Sequence, residues 1–561
     1  MDFKLELAKL VADITKKDVL KVKELIEVPK DLNMGDFALP CFMFAKELKK
    51  PPIQIVNDLA AELSGDWFVV ERAGSYLNFK IKQDFLAKNI LTKIVEPMIF
   101  ENEGGKTIGI ESPSPNSNKP LHLGHARNML LGLSLKNIYE KTGNKVIWFD
   151  LVNDKGVHIC KSMLAYKLLG EGKTPESEGI KSDLFVGNYY VEFSNLEKEN
   201  PAILDDAKQM LVLWEAGDAK TIELWKLMCS WWLEGVKVTY DDYNVKVDVR
   251  NFESEIYKEG KKIVLDALDK GIFQKDETGA IYIDLEDEGL GVKYLLRADG
   301  TSIYMTQDIY LAKKRFEEHK LDEFRYIVGS EQKYHFNTLF SVLGKLGFDF
   351  ANKCTHVSYG LIYLPDGKMK SREGNVVDAD AFRQKMLELS EVELKNRYSE
   401  LGVVELERRK NIIATGAVNF FILKYDSHKD FTYFPDKALS FQGESGPYIQ
   451  YAHARICSIL RKEKPSISSL ESLQLISERA LINKLGEYRD VVFYAASSNK
   501  PSVVTNYLLE LAQLFNSYYQ EVPILKADAD LKNARLFLID KVRIIFSDGL
   551  ALLGIVAPEE M

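Results

Sequence analysis

The stretch from Lys106 to Asn153 limits the fold more than any other. It reads as a short β-branched strand, "KTIGIES", a polar loop, "PSPNSNK", a helix, "PLHLGHARNMLLGLSLKNIYEKTG", stopped at Gly143, and a second buried strand, "KVIWFDLVN". Strand, helix and strand within one unit of about 30 residues imply a parallel pair, and such pairs build doubly wound nucleotide-binding sheets. Further strands are expected at "AIYIDL", "FRYIVG" and "HVSYGLIYL", with a largely helical, tryptophan-rich insertion over 160–270. With 561 residues the chain exceeds what one core can hold, so more units are needed. Residues 1–105 read as an α+β unit ending at the glycine-rich "ENEGGK", and from 436 to 561 strand patterns give way to amphipathic helices. The expected class is therefore α/β: a Rossmann-type doubly wound parallel sheet over 106–360, preceded by an α+β domain and followed, after a region at 361–435, by an all-α helical bundle.

Composition narrows the setting. A net charge of -9 neither requires nor forbids a polyanionic partner, because local patches and not totals attract one. Five cysteines (Cys41, Cys160, Cys229, Cys354, Cys457) lie far apart with no CxxC pair, which argues against a disulfide framework or structural zinc and fits a reducing compartment. The N-terminal "MDFKLELAKLVADITKK" lacks an apolar signal core, and the longest apolar stretch, "NIIATGAVNFFIL", falls short of the about 20 residues that cross a bilayer. A cytoplasmic protein without a membrane partner is the expectation.

The loop and helix at 111–132 carry the chemistry. Pro120 suits a first helical turn and would place Leu121 to His125 at the helix N-terminus, where unpaired N–H groups and the dipole favour anions. His122 and His125, three apart, share a face there. Gly124 between them leaves room for a flat base, and Lys119 adds positive charge. No third ligand stands nearby to make a metal site. Lying at the carboxyl end of a strand, the assembly suits a nucleoside triphosphate.

His122-Leu123-Gly124-His125 resembles the HIGH signature of class I aminoacyl-tRNA synthetases, and "SPSPNSNKPLHLGHARN" resembles its arginyl form closely. The resemblance spans the chain: "LNMGDFALPCFMFAK", "AGSYLNFKI", "LVNDKGVHICKSMLAY", "YLLRADGTSIYMTQDIYLAKKR", "YIVGSEQKYHFNTLF", "GPYIQYAHARI" and "GLALLGIVAPEEM" follow in the family's order. "LPDGKMKSREGNVV" is similar to the family's KMSKS loop, whose cations stabilise the leaving pyrophosphate, but its order is Lys368-Met369-Lys370-Ser371-Arg372. Which of Lys368, Lys370 and Arg372 acts is thus open. About 240 residues separate the two elements, too few for the editing domain of the isoleucyl, leucyl and valyl members. A strongly polar substrate needs no editing.

The resemblance implies arginine-tRNA ligase activity: ATP, with Mg2+ as its companion ion, activates L-arginine to the adenylate, and the arginyl group passes to the 3' end of tRNA(Arg). Activation is expected to require tRNA, no structural zinc is expected, and the family habit is a monomer. Catalysis falls to His122, His125, Lys119, Lys368, Lys370 and Arg372, and ATP to His122, Gly124, His125, His335, Met369 and Lys370. Glu111, Ser114, Asn116, Tyr304, Asp308 and Gln332 would hold arginine, with Glu111 on the α-ammonium and Asp308 pairing the guanidinium. A guanidinium offers five donors and a permanent charge, so carboxylates are its natural partners. Tyr76 and Asn78 match positions touching D-loop bases, the region at 361–435 would contact the stem, and Tyr448, Tyr451, His453 and Arg455 are candidates in an anticodon-binding domain. Three other readings are weighed. A cysteinyl synthetase wants a zinc set that is missing, a non-catalytic paralogue would have lost one of His122, His125, Glu111 or Asp308, and a small nucleotidylyltransferase would not need this length.

Overall fold

The computed structural model describes the whole chain except residues 1, 30–33, 101–104, 302, 365–366, 369–376, 399, 435–438, 441–442 and 466–469. Strands β1 (Phe37–Pro40), β2 (Phe68–Ala73) and β3 (Tyr76–Ile81) form an antiparallel sheet in the order β1-β3-β2. Alternation along β3 explains its seating: Leu77, Phe79 and Ile81 are fully buried, while Tyr76 and Lys80 point the other way and reach solvent. The turn into β1 needs Gly35, whose φ is +97° and where a Cβ would stand 2.8 Å from the Phe79 carbonyl oxygen.

The central sheet begins with β4 (Thr107–Glu111), β5 (Lys145–Val152) and β6 (Val249–Phe252). Strands β7 (Gln274–Lys275), β8 (Ile281–Leu285) and β9 (Gly291–Leu296) then form a separate antiparallel sheet. After them β10 (Glu323–Gly329) and β11 (Cys354–Tyr359) rejoin the first, giving the order β11-β10-β4-β5-β6 with every pair parallel. The stretch "AIYIDL" is thus a strand outside the doubly wound sheet. Its pattern says why: Ile281, Ile283 and Leu285 are buried while Tyr282 and Asp284 are not, as suits a sheet covered on one face only.

"HVSYGLIYL" breaks in two. β11 ends at Tyr359, and β12 (Ile362–Leu364) leaves to pair with β13 (Gly367–Lys368) and β14 (Phe431–Thr432). Gly360 sits at the break because a side chain would strike the Asp430 backbone nitrogen, 2.7 Å from its Cβ.

In the central sheet the winding reverses between β4 and β10, and open α/β sheets bind ligands in the crevice beyond such a switch point. Glu111 ends β4 there. The next helix, Leu123–Lys141, is buried on nearly every side because the sheet lies against one flank and the C-terminal helices against the other. Those helices are Val403–Leu423, Gly446–Lys462, Ile476–Ser498, Pro501–Glu521 and Ala529–Leu552. Ser134 ties the two by donating to the Leu552 carbonyl at 2.9 Å. Within the insertion, helices Ser182–Glu199, Ile203–Glu215 and Ala219–Asp242 stand beside the loop, where Trp232 Nε1 donates to the Lys119 carbonyl at 2.9 Å. Among the described residues no helix is long and apolar enough to cross a membrane.

Candidate active site

The helix starts later than Pro120 suggests: His122 is the N-cap and Leu123 the first helical residue. The cap is made by the two imidazoles. His122 Nδ1 accepts from the Gly124 N–H at 3.1 Å, and His125 Nδ1 accepts from the His122 N–H at 3.1 Å, with ring centroids 4.0 Å apart. Burial lowers the His122 pKa to about 4, helped by the charge of Lys119, and burial likewise pushes His125 well below the usual imidazole value. Both rings are neutral near pH 7. Since each Nδ1 accepts, each Nε2 must carry the proton, so the pair offers two N–H donors held by the helix start. Gly124 has a reason the sequence did not suggest. A Cβ there would lie 2.9 Å from His122 Cε1, so only glycine lets the ring fold back onto the cap.

The residues that follow the lysine-rich segment meet this point. They are stitched to the helix start, with the Leu123 N–H donating to Val377 at 2.9 Å and the Ala379 N–H to Leu121 at 2.9 Å. Lys368 ends β13, whereas Met369, Lys370, Ser371 and Arg372 lie outside the described residues.

Buried charge supports the loop before the helix. Ser114 is left-handed, with φ +51°, held by its N–H on Asp150 Oδ1 at 3.2 Å and its Oγ accepting from Leu151 at 3.1 Å. Burial raises the Asp150 pKa against the opposing charge of Arg250, whose Nε lies 3.1 Å away. Asn116 is exposed and pairs as a bridge with Asn153, which ties the loop to the turn after β5. Glu111 is ion-paired with Arg315, itself buried and sharing Asn251 Oδ1 at 3.2 Å. The carboxylate expected on the α-ammonium thus comes with a resident cation on one oxygen.

Tyr304 opens the helix Tyr304–His319 and is 65% exposed, and Asp308 follows one turn on, partly buried. Asp308 Oδ2 accepts from His335 Nε2 at 2.7 Å, so His335 is tied to a residue assigned to arginine. Burial works against the charged form of His335, but the Asp308 bond and charge outweigh it and raise the pKa above the usual value. Gln332 is exposed, immediately before the helix Lys333–Lys345 that carries His335.

One residue here escaped the sequence reading. Glu253 follows β6, is only 4% exposed, and its Oε2 has no hydrogen-bond partner among the described residues. Burial lifts its pKa to about 7, against the charge of Lys155 and a bond from Gln307, with Asp154 and Asp308 near enough to push it up. Its neighbour Ser254 donates to both oxygens of Asp154, at 2.9 and 2.7 Å, and Asp154 follows the Asn153 that bridges to Asn116. The charges of Asp154 and Asp308 both act on Glu253, and Asp154 adjoins the Asn153 that bridges to the loop before the histidine helix. A buried carboxylate oxygen left without a hydrogen bond costs about 1 to 3 kcal/mol.

This geometry can be set beside known proteins. The family described as tRNA synthetases class I (R), catalytic domain, matches residues 88–434, the arginyl tRNA synthetase N terminal domain matches 2–81, and the DALR anticodon binding domain matches 449–561. The chain belongs to the arginyl-tRNA synthetase family. A relative from Treponema denticola, an arginine--tRNA ligase, is 42% identical with 100% of both chains covered. One from Parabacteroides distasonis is 39% identical over 98% of this chain and 97% of its own. The solved Thermus thermophilus arginyl-tRNA synthetase superposes with a TM-score of 0.84 at 26% identity, covering 100% of each chain.

Beyond the crevice, the remaining family-derived residues fall into two groups. Tyr76 is partly exposed with its ring edge-on to Phe42 at 5.6 Å, whereas Asn78 is buried in β3. In the C-terminal bundle a cavity of about 970 Å³ is lined by Tyr451 and Arg455 together with Tyr398, Arg409, Tyr519 and Met561. The Arg455 guanidinium lies over both Tyr451 and Tyr519, at 4.7 and 4.8 Å. Tyr448 packs partly against the core instead, and His453 is buried with Nδ1 2.8 Å from the Pro558 carbonyl oxygen.

Proposed function

We propose that this chain ligates L-arginine to tRNA(Arg) at the expense of ATP, carried as its Mg2+ complex, and that it does so as a cytoplasmic monomer. The observation that carries the substrate assignment is the buried Glu253 carboxylate, with one oxygen unpartnered among the described residues and within reach of the Asp308 charge. A guanidinium satisfies both at once, each through a charge-assisted pair, and Tyr304 bounds its plane. Glu111, Ser114, Asn116 and Gln332 orient the α-carbon end. The arginine carboxylate then attacks the α-phosphorus in line, an oxygen–phosphorus bond forms, and the bond to pyrophosphate breaks. The Nε2–H groups of His122 and His125 and the cation of Lys119 face the charge that develops, joined by one or more of Lys368, Lys370 and Arg372. No protein nucleophile is needed. A terminal ribose hydroxyl of the tRNA next attacks the adenylate carbonyl and AMP leaves. The aromatic, cationic cavity around Tyr451 and Arg455 suits an unpaired anticodon base, and Tyr76 suits one from the D-loop.

ATP/pyrophosphate exchange run with each amino acid, with and without bulk tRNA, tests this reading. Exchange is expected with arginine alone and only when tRNA is present; another amino acid, or silence with cognate tRNA, would overturn it.

Proton linkage follows from the same pocket. Below about pH 7 Glu253 is protonated and His335, its pKa raised, is cationic on Asp308, so both groups oppose a guanidinium. Rising pH ionises the first and discharges the second. The KM for arginine should fall by up to about tenfold per pH unit as pH rises toward about 7 and Glu253 ionises, and further as His335 discharges above its usual range, with the KM for ATP flat. A profile that rises with pH would reject the pair as the guanidinium site.

A further inference from the structure

The two units assigned to tRNA are locked together by a buried polar knot that the catalytic reading does not use. Asp36 donates its N–H to the Phe79 carbonyl at 2.8 Å, and its Oδ2 accepts from the Ile81 N–H at 2.7 Å. Both contacts grip the end of β3, the strand that carries Tyr76 and Asn78. Arg479, in the C-terminal helix Ile476–Ser498, then closes the knot from the other domain. Its Nε reaches Asp36 Oδ1 at 3.2 Å, its Nη2 bonds Asp36 Oδ2 and the Ile81 carbonyl (the latter at 2.8 Å), and its Nη1 bonds Gln83 Oε1 at 2.6 Å. Asn483, one turn along the same helix, adds a bond to Asp36 Oδ1 at 3.3 Å. Close backbone approach backs this up, since a Cβ at Gly486 would lie 2.9 Å from Ile90 in the helix that follows β3.

We infer that Arg479 is a positioning residue for tRNA: by clasping Asp36 and Ile81 it fixes β3 on the C-terminal bundle, so that the two RNA-contacting faces engage one tRNA as a single rigid frame. This rests on the reading that Tyr76 and the Tyr451 cavity both touch tRNA. Apolar packing alone would hold the domains together. A forked guanidinium over a carboxylate and a strand carbonyl additionally sets the angle and register of the contact. With the frame rigid, the second contact is intramolecular and its effective concentration high; with the frame loose, that gain is lost without any contact to RNA being removed.

The test uses the full chain with Asp36→Asn and Arg479→Gln combined, which leaves an acceptor for the Ile81 N–H and no unpaired buried charge. The KM for tRNA should rise about tenfold while kcat and the KM values for arginine and ATP stay within about twofold. Binding of an isolated anticodon stem-loop should be unchanged, because it touches one unit only. In a Tyr76→Ala background the double substitution should add nothing further. An unchanged KM for tRNA, an effect additive with Tyr76→Ala, or an equal loss with the stem-loop would each overturn the inference. If Tyr76→Ala itself is silent, the assignment of β3 to tRNA falls, and the inference with it. Should the combined variant melt below assay temperature, Gln83→Ala, which removes only the Nη1 partner, is expected to raise the KM for tRNA about threefold, and no change there would count against the clasp.

Discussion

Glu253→Gln is expected to raise the KM for arginine by about 100-fold or more while making the free protein more stable. The loss follows from taking one charge away from a desolvated pair, an effect of about 2 to 5 kcal/mol. The gain has a separate origin. Burial lifts the Glu253 pKa from 4.5 to about 7, so the free fold is penalised as pH rises through that interval, by an amount of order 3 kcal/mol that remains in full above it. Glutamine carries no such penalty. Melts at pH 8 without arginine should therefore show the variant above the native chain, with the difference shrinking toward pH 5. Added arginine should stabilise the native chain and leave the variant nearly unmoved. A variant that loses stability and affinity for ATP and arginine alike would show that Glu253 only braces the fold. The trade of stability for binding is what a cation site emptied of its cation predicts.

Gly124→Ala should depress kcat by about 100-fold with little change in stability. Alanine is favoured over glycine within a helix by up to about 1 kcal/mol, so the backbone has no reason to object. The new Cβ, however, would press on His122 at 2.9 Å from Cε1 and 3.0 Å from Nδ1, and the ring is the part free to move. Once it turns, the bond from the Gly124 N–H is lost, and the Nε2–H no longer points where the cap had aimed it. A displacement of about 1 Å at a reacting centre is worth about two orders of magnitude in rate. Single-turnover adenylate formation should carry the defect, with the KM for arginine unmoved. Native rates in a folded Gly124→Ala protein would remove His122 from the chemistry.

The fold was legible where local chemistry is repetitive. Parallel strands flanking the histidine helix follow from the βαβ spacing, and the C-terminal helices follow from their amphipathic pattern. The misplaced "AIYIDL" strand shows the limit. Its alternation marks a half-covered strand, but which sheet it joins depends on partners far away in the chain. The start of the histidine helix shows the same limit at short range, since Pro120 fits a first turn in isolation and the cap is decided by two side chains that bond back to the backbone.

Within the site, His122, His125, Tyr304 and Asp308 could be named because each belongs to a short motif. Glu253 could not. It is one acid among several in "NFESEIYKEG", and nothing local marks it as buried or half-partnered. The side-by-side order of β5 and β6 brings Ser254 onto Asp154, and the helix after β9 brings Asp308 toward Glu253. Asp36 and Arg479 meet in the same way, 443 residues apart. The amino-acid order by itself determined the family, the parallel sheet and the histidine-bearing helix, because those are written in contiguous residues whose periodicity and turn chemistry act locally. Only the tertiary structure decided which charges are stripped of water and left to face one another, because desolvation is a property of everything packed around a group.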